Sequence, residues 1–227
     1  MRPKISIVIP VLNEEHTVSE TLESLERLAP SEIIVVDGGS VDRTRELAEA
    51  KNVRLLTAGR GRARQMNEGA RMAGGDVLLF LHADTRLPQS AFEDVGAALA
   101  DVKCIGGRFD VELEGDHWML HWIAAMISLR SRLSRVATGD QAIFVRRNVF
   151  EAIGGFPDIP IMEDIAFSRA LKRKGRVASL RSRVVTSARR WEKEGVCRTI
   201  LKMWILKLLY FAGVSPFRLK RFYADLR

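Results

Sequence analysis

The rhythm of the first hundred residues constrains the fold of this chain most. Four short apolar runs, at 5–10, 32–37, 53–57 and 76–81, alternate with stretches of helical period at 17–28, 41–50, 61–73 and 89–99. Apolar runs separated by amphipathic helices predict βαβ units and a parallel sheet. Ile33, Ile34, Val35 and Val36, and again Val77, Leu78, Leu79, Phe80 and Leu81, show no polar alternation. Such runs belong to strands covered on both faces. Right-handed crossovers then bring the carboxyl ends of these strands to one edge, where open α/β sheets bind ligands.

That edge is polar at three places. The first run leads through Pro10 into Asn13 and Glu14, the second ends in Asp37 ahead of Ser40 and Asp42, and the fourth runs into His82 and Asp84. A single acid at a strand end is commonly a helix N-cap, and Ser40 and Asp42 fit that reading. Three such loops on one edge point to a ligand.

Beyond residue 100 the regularity fades. Strands are expected at 104–111, 141–145 and 184–187, and helices at 117–133 and 163–174. A Gly/Pro-rich loop is expected at 150–160, and two tail helices at 194–212 and 216–226. The plan is a domain over 1–190, with a nucleotide half (1–100) and an acceptor half (101–190), followed by a basic amphipathic tail over 191–227. The 227 residues suffice for a full core without covalent staples. The two cysteines, Cys104 and Cys197, form no CxxC, so neither a disulfide framework nor a zinc cluster is expected.

Charge is segregated. Residues 167–227 carry 17 Lys/Arg against 3 Asp/Glu, whereas residues 1–166 carry 19 against 25. A basic tail suits an anionic partner such as lipid head groups. Its aromatic residues Trp204, Tyr210 and Phe211 sit among leucines, the composition of an interfacial helix or of one that caps a core. Nucleic acid, which asks for stacking aromatics interleaved with cations, is not expected. No stretch reaches the ~20 apolar residues of a membrane span, and no signal-peptide core precedes the first strand. A cytoplasmic protein is the expectation, with a peripheral place on the inner face of the membrane as the alternative that the tail leaves open.

Five short motifs follow in order: Ile7 to Glu15 (IVIPVLNEE), Ile34 to Ser40 (IVVDGGS), Leu81 to Asp84 (LHAD), Gly154 to Phe156 (GGF) and the pair Glu163-Asp164. Together they resemble the family 2 glycosyltransferases of the GT-A fold, over about residues 4 to 190. The short length, LHAD and Arg189-Arg190-Trp191 resemble a bacterial subfamily associated with arsenosugar or carotenoid-type glycosylation. The fold implied is a Rossmann-like, mostly parallel central sheet flanked by helices, with a helical C-terminal tail. The activity implied is inverting, metal-dependent and non-processive transfer from a nucleotide-sugar to an acceptor hydroxyl.

The resemblance also implies residue roles. Pro10, Asn13, Glu14, Asp37, Arg64, Asn67, His82 and Asp84 would line the donor site, with a UDP-sugar favoured over a GDP-sugar because a carboxylate can accept from the uracil N3–H. Gly38 stands where the family has a second Asp. Asp84, with His82 in place of the first Asp of Asp-x-Asp, would hold Mn²⁺ or Mg²⁺. Asp164 would be the general base. Asp140, Glu163, Arg190 and Trp191 would meet a small-molecule or lipid acceptor. Ser187 replaces the Gln of the processive Gln-x-x-Arg-Trp motif. Two other readings fit parts of the sequence: a nucleotidyl or sugar-phosphate transferase, and a basic module binding membrane or nucleic acid.

Overall fold

A computed structural model describes residues 3–115, 117–189, 191 and 195–223. Eight strands form one sheet in the order β3-β2-β1-β4-β7-β6-β8-β5. Its first half contains β1 (Ile5–Val11), β2 (Glu32–Asp37), β3 (Arg54–Thr57) and β4 (Val77–Phe80), all parallel. The second half contains β5 (Thr85–Arg86), β6 (Cys104–Glu114), β7 (Ile143–Arg146) and β8 (Arg176–Ser187). There β7 runs antiparallel to β4 and β6, and β8 runs parallel to β6. The parallel expectation thus holds for the first four strands, and the whole sheet is mixed.

Helices cover both faces. On one side lie α1 (Val18–Glu26), α4 (Ala91–Leu99) and α5 (Trp118–Ser134), packed through Leu22, Val95 and Ile123. On the other lie α3 (Arg62–Met72), α6 (Arg147–Ile153) and α7 (Glu163–Lys174), packed through Met66, Phe150 and Phe167. The remaining helix of the first half, α2 (Thr44–Glu49), adds Ala48 to the first of these cores. Strand β1 shows the strand period directly, sending Ile5, Ile7, Ile9 and Val11 to one core and Val8 to the other. A Cβ on Gly69 of α3 would come within 2.4 Å of Val8 Cγ1, so only glycine lets α3 lie this close to the sheet. Phe80, Phe150, Phe156 and Phe167 fill the α3 side with ring centroids 4.4–5.7 Å apart.

Several boundaries move. Helix α6 occupies the start of the loop expected from residue 150, ending where Gly154 adopts φ +85° as its left-handed cap. Strand β8 starts eight residues earlier than expected, because pairing with β6 stabilises a segment whose own pattern is weak. The tail forms α8 (Val196–Phe211) and α9 (Pro216–Leu219), continued by a 3-10 turn over Lys220–Phe222. Residues 194 and 224–226 of the expected tail helices lie outside the described residues. Leu206 and Leu219 of the tail are buried against Val136, Ile161, Met162 and Ile165, fixing the tail to the body just before α7 begins. Among the described residues no helix is long and apolar enough to cross a membrane.

Candidate functional site

The carboxyl ends of β1, β2 and β4 converge as the topology requires. Pro10 pairs with β2 only, since β4 leaves the ladder after Leu81 N–H donates to Val8 O at 3.0 Å. Asn13, at φ 53°, accepts from Val41 N–H through Oδ1 at 3.0 Å, while its own N–H donates to Ser40 Oγ at 2.9 Å. These bonds tie the first two loops into one rim. Asp42 accepts from Thr44 N–H at 3.0 Å and from Glu15 N–H at 3.2 Å, one residue before Arg43, which takes the N-cap position expected of Asp42.

Asp37 is fully buried, and its carboxylate accepts from Gly39 N–H and Ser40 N–H at 3.1 Å. Its oxygens are thus engaged in shaping the 38–40 turn. Gln65 of α3 is a site-shaping residue that the sequence reading missed. Its buried Nε2 donates to Val11 O at 2.7 Å and Val36 O at 2.8 Å, tying the ends of β1 and β2 together. Gln65 also explains Gly38, because a Cβ there would stand 2.9 Å from the Gln65 amide carbon.

The sharpest electrostatic feature joins three distant segments. Arg189, just after β8, donates from Nη2 to Glu14 Oε2 at 2.9 Å and to Asp84 Oδ2 at 3.2 Å. Glu14 is buried and also accepts from Thr17 Oγ1 at 3.0 Å. Burial opposes the charge on Arg189, but the hydrogen bonds and charges of Glu14 and then Asp84 outweigh it and hold the guanidinium protonated. Two carboxylates therefore converge on one cationic centre. Hard oxygen donors of this kind suit Mn²⁺ or Mg²⁺, with the remaining positions left to water and phosphate. Among the described residues no three His, Cys, Asp or Glu side chains gather to hold a metal.

Asp164 is anchored by two backbone donors. Gly139 N–H donates to Oδ2 and Ile165 N–H to Oδ1, both at 2.7 Å. The imidazole of His82 lies against the same glycine, since a Cβ at 139 would stand 2.6 Å from His82 Nε2 and 3.7 Å from Asp164 Oδ2. His82 is thus turned toward the Asp164 side of the cleft. Arg62, His82, Gly139, Glu163 and Asp164 line one narrow cleft.

Of the arginines opening α3, the structure turns Arg62 toward this cleft. Its Nη1 lies 3.3 Å from the buried Glu163 Oε1. Burial works against its charge, while Glu163, Tyr223, Asp164 and Asp84 together raise its pKa. Arg64 instead pairs in the open with Asp158, at 2.9 Å. Asn67 holds the Gly-Gly-Phe turn, donating to Phe156 O at 2.8 Å and accepting from Phe156 N–H at 2.9 Å. Arg64 and Asn67, expected at the donor site, thus also position that turn and its neighbour.

Asp140 Oδ1 is buried and without a hydrogen-bond partner among the described residues. Lys207 of α8 lies within electrostatic reach of Asp140, Asp164 and Arg130, and burial followed by Arg130 lowers its pKa. Trp191 packs against the larger core. Arg190 lies outside the described residues.

The sequence model of Glycosyl transferase family 2 matches residues 6–157. A "Probable glycosyltransferase YdaM" of Bacillus subtilis is 28% identical over 194 residues, covering 71% of this chain and 45% of that protein. A "PGL/p-HBAD biosynthesis glycosyltransferase" of Mycobacterium bovis is 33% identical over 169 residues, 68% of this chain and 63% of that protein. The chain therefore spans about half to two thirds of the length of these relatives. Glucosyl-3-phosphoglycerate synthase of Mycobacterium tuberculosis, solved with Mn²⁺, UDP and glucosyl-3-phosphoglycerate, superposes with a TM-score of 0.61 at 20% identity. That match covers 94% of this chain and 81% of the other. With polar residues gathered on the carboxyl edge of a GT-A sheet, the chain belongs to glycosyl transferase family 2.

Proposed function

We propose that this chain moves a single sugar from a UDP-sugar to an acceptor hydroxyl with inversion, in the presence of Mn²⁺ or Mg²⁺. The observation carrying the proposal is that Arg62 lies within electrostatic reach of both Asp84, which with Glu14 holds Arg189, and Asp164, a carboxylate anchored by Gly139 N–H. The Asp37 turn, with Pro10 and Asn13, forms the nucleoside end of the pocket. Glu14 and Asp84 face the diphosphate.

In the reaction the acceptor oxygen attacks the anomeric carbon while the bond to the diphosphate breaks. Asp164 takes the hydroxyl proton, and the nucleoside diphosphate leaves with its added negative charge. A divalent ion held by Glu14 and Asp84 would stabilise that charge. Arg189 and Arg62 are the protein's own cations on either side of the departing phosphate. Arginine forks suit phosphate oxygens. His82, beside Asp164 at Gly139, orients the acceptor hydroxyl or a donor oxygen by hydrogen bonding. Asp140 brings an unpartnered carboxylate oxygen for an acceptor hydroxyl. The acceptor is a small molecule or a lipid, met in the cytoplasm or at the inner face of the membrane.

Support for UDP and for the metal comes from the M. tuberculosis neighbour, which was solved with both. The test is binding and turnover of UDP- against GDP-sugars, with and without Mn²⁺, in the wild type and Asp164→Asn. The variant should keep donor affinity and lose roughly 10²–10⁴ in turnover, the usual contribution of a general base. Unchanged turnover would remove Asp164 from the chemistry.

A further inference from the structure

The glycosyl-transfer reading leaves unused a large apolar surface on α5 and the tail. Helix α5 exposes Trp118, Trp122, Met126, Leu129 and Leu133, spaced four, four, three and four residues apart along one face. Both tryptophans are 66% exposed. Helix α8 does the same with Leu201, Trp204, Ile205 and Leu208, and Trp204 is 67% exposed. Phe217 and Phe222, on and just after α9, extend the exposed set. Ordinary monomers scatter such residues singly, so two continuous stripes call for a partner.

The helices are neighbours. Val196 and Ile200 of α8 pack against the core cluster that holds Leu120, Ile123 and Ala124 of α5, and Lys207 lies within electrostatic reach of Arg130. Their charge selects the partner. Residues 117–135 carry three Lys/Arg, residues 195–223 carry six, and neither segment has an Asp or Glu. A second copy of this chain would set these acid-free segments against each other, and even with Arg132 paired to Asp110 and Lys207 half-buried, the remaining cations meet no carboxylate from the facing segments, which disfavours self-association. An anionic bilayer fits both features, since tryptophans and leucines enter the boundary of head groups and acyl chains while lysines and arginines meet lipid phosphates.

We propose that the exposed faces of α5 and α8 together dock this chain on an anionic lipid bilayer. The proposal deepens the acceptor side of the function proposed above and rests on it for what the docked enzyme does. The opposite face of α8 buries Leu206 against Ile161, Met162 and Ile165, which flank Glu163 and Asp164. Docking therefore sets the candidate base near the lipid surface, where it meets a lipid-borne hydroxyl.

The test is flotation of the full chain with vesicles of phosphatidylcholine alone or mixed with phosphatidylglycerol. The wild type should float with the anionic vesicles, less at high salt, and its tryptophan emission should shift to the blue. Trp122→Glu on α5 and Trp204→Glu on α8 should each reduce partitioning roughly tenfold, because each sets a carboxylate against apolar lipid and anionic phosphates. Circular dichroism and vesicle-free hydrolysis of the donor should stay at wild-type level in both variants. Equal binding to neutral vesicles, wild-type binding by either variant, or a wild-type dimer that either substitution dissociates would overturn the proposal. A wild type that floats but turns over no donor would overturn the glycosyl-transfer reading and leave the docking surface standing.

Discussion

Gly139→Ala probes the closest approach in the cleft. Residue 139 carries no left-handed backbone angle, so alanine there brings no backbone strain. The added Cβ would stand 2.6 Å from His82 Nε2, against an ordinary contact of at least 3.4 Å, leaving a shortfall of 0.8 Å. Asp164 Oδ2, at 3.7 Å, is untouched, and the 139 N–H that anchors it remains. The clash falls on the far end of a side chain, which can rotate by less than one rotamer width at a cost of about 1 kcal/mol. For a domain of this size that is a drop of roughly 2–4 °C in Tm. The effect on chemistry is larger, because a misplacement near 1 Å can cost on the order of 10²-fold in rate. The expected phenotype is a nearly wild-type melting curve, wild-type affinity for UDP and turnover down by about two orders of magnitude. In His82→Ala the obstacle is gone, so adding Gly139→Ala to it should change turnover by less than about threefold, a strong departure from additivity. Thermal melts, UDP titration and donor turnover on the four proteins decide the matter. Wild-type turnover in Gly139→Ala, or full additivity in the double variant, would refute the placement of His82 beside the reacting atoms.

Three further outcomes are expected. Arg189→Met leaves Glu14 and Asp84 facing each other without their cation, so Mn²⁺, followed by electron paramagnetic resonance without donor, should bind more tightly than to the wild type. Weaker Mn²⁺ binding would show that those carboxylates are not where the ion sits. Asn67→Ala removes both bonds to the Phe156 backbone and should cost about 1–3 kcal/mol, roughly 3–10 °C in Tm, with an unchanged Tm refuting its positioning role. Lys207 has its pKa lowered from 10.5 by burial and Arg130, so between the lowered value and 10.5 the unfolded chain binds more protons than the folded one. Wild-type stability should therefore rise with pH through that window. Lys207→Met should be the more stable protein at neutral pH, and its advantage should shrink as pH approaches 10.5. Melting temperatures against pH check this, and a constant difference would contradict it.

The two arginines of α3 show where sequence reading stops. Arg62 and Arg64 stand two residues apart, which on an α-helix turns their side chains about 200° from each other, so only one can face the cleft. The motif resemblance names Arg64 for the donor site; α3 is oriented by Met66, Ala63 and Ala70 in the core, and that packing brings Arg62 to Glu163 while Arg64 meets Asp158 in the open. Resemblance suggests a donor contact for Asn67, and the structure adds a partner that the sequence does not show, a backbone turn 89 residues away.

Sequence alone determined the alternation that builds the parallel half-sheet, the polar residues at its carboxyl edge and the order of the motifs. Each is a local pattern, set by strand and helix periods or by neighbouring residues. Tertiary structure alone decided the bridge from Arg189 to Glu14, across 175 residues, and the meeting of His82, Gly139 and Asp164. It also decided that the tail packs beside the site through Leu206 while leaving Trp204 exposed. The direction of a side chain and the partner that neutralises it depend on which surfaces the folded chain brings together.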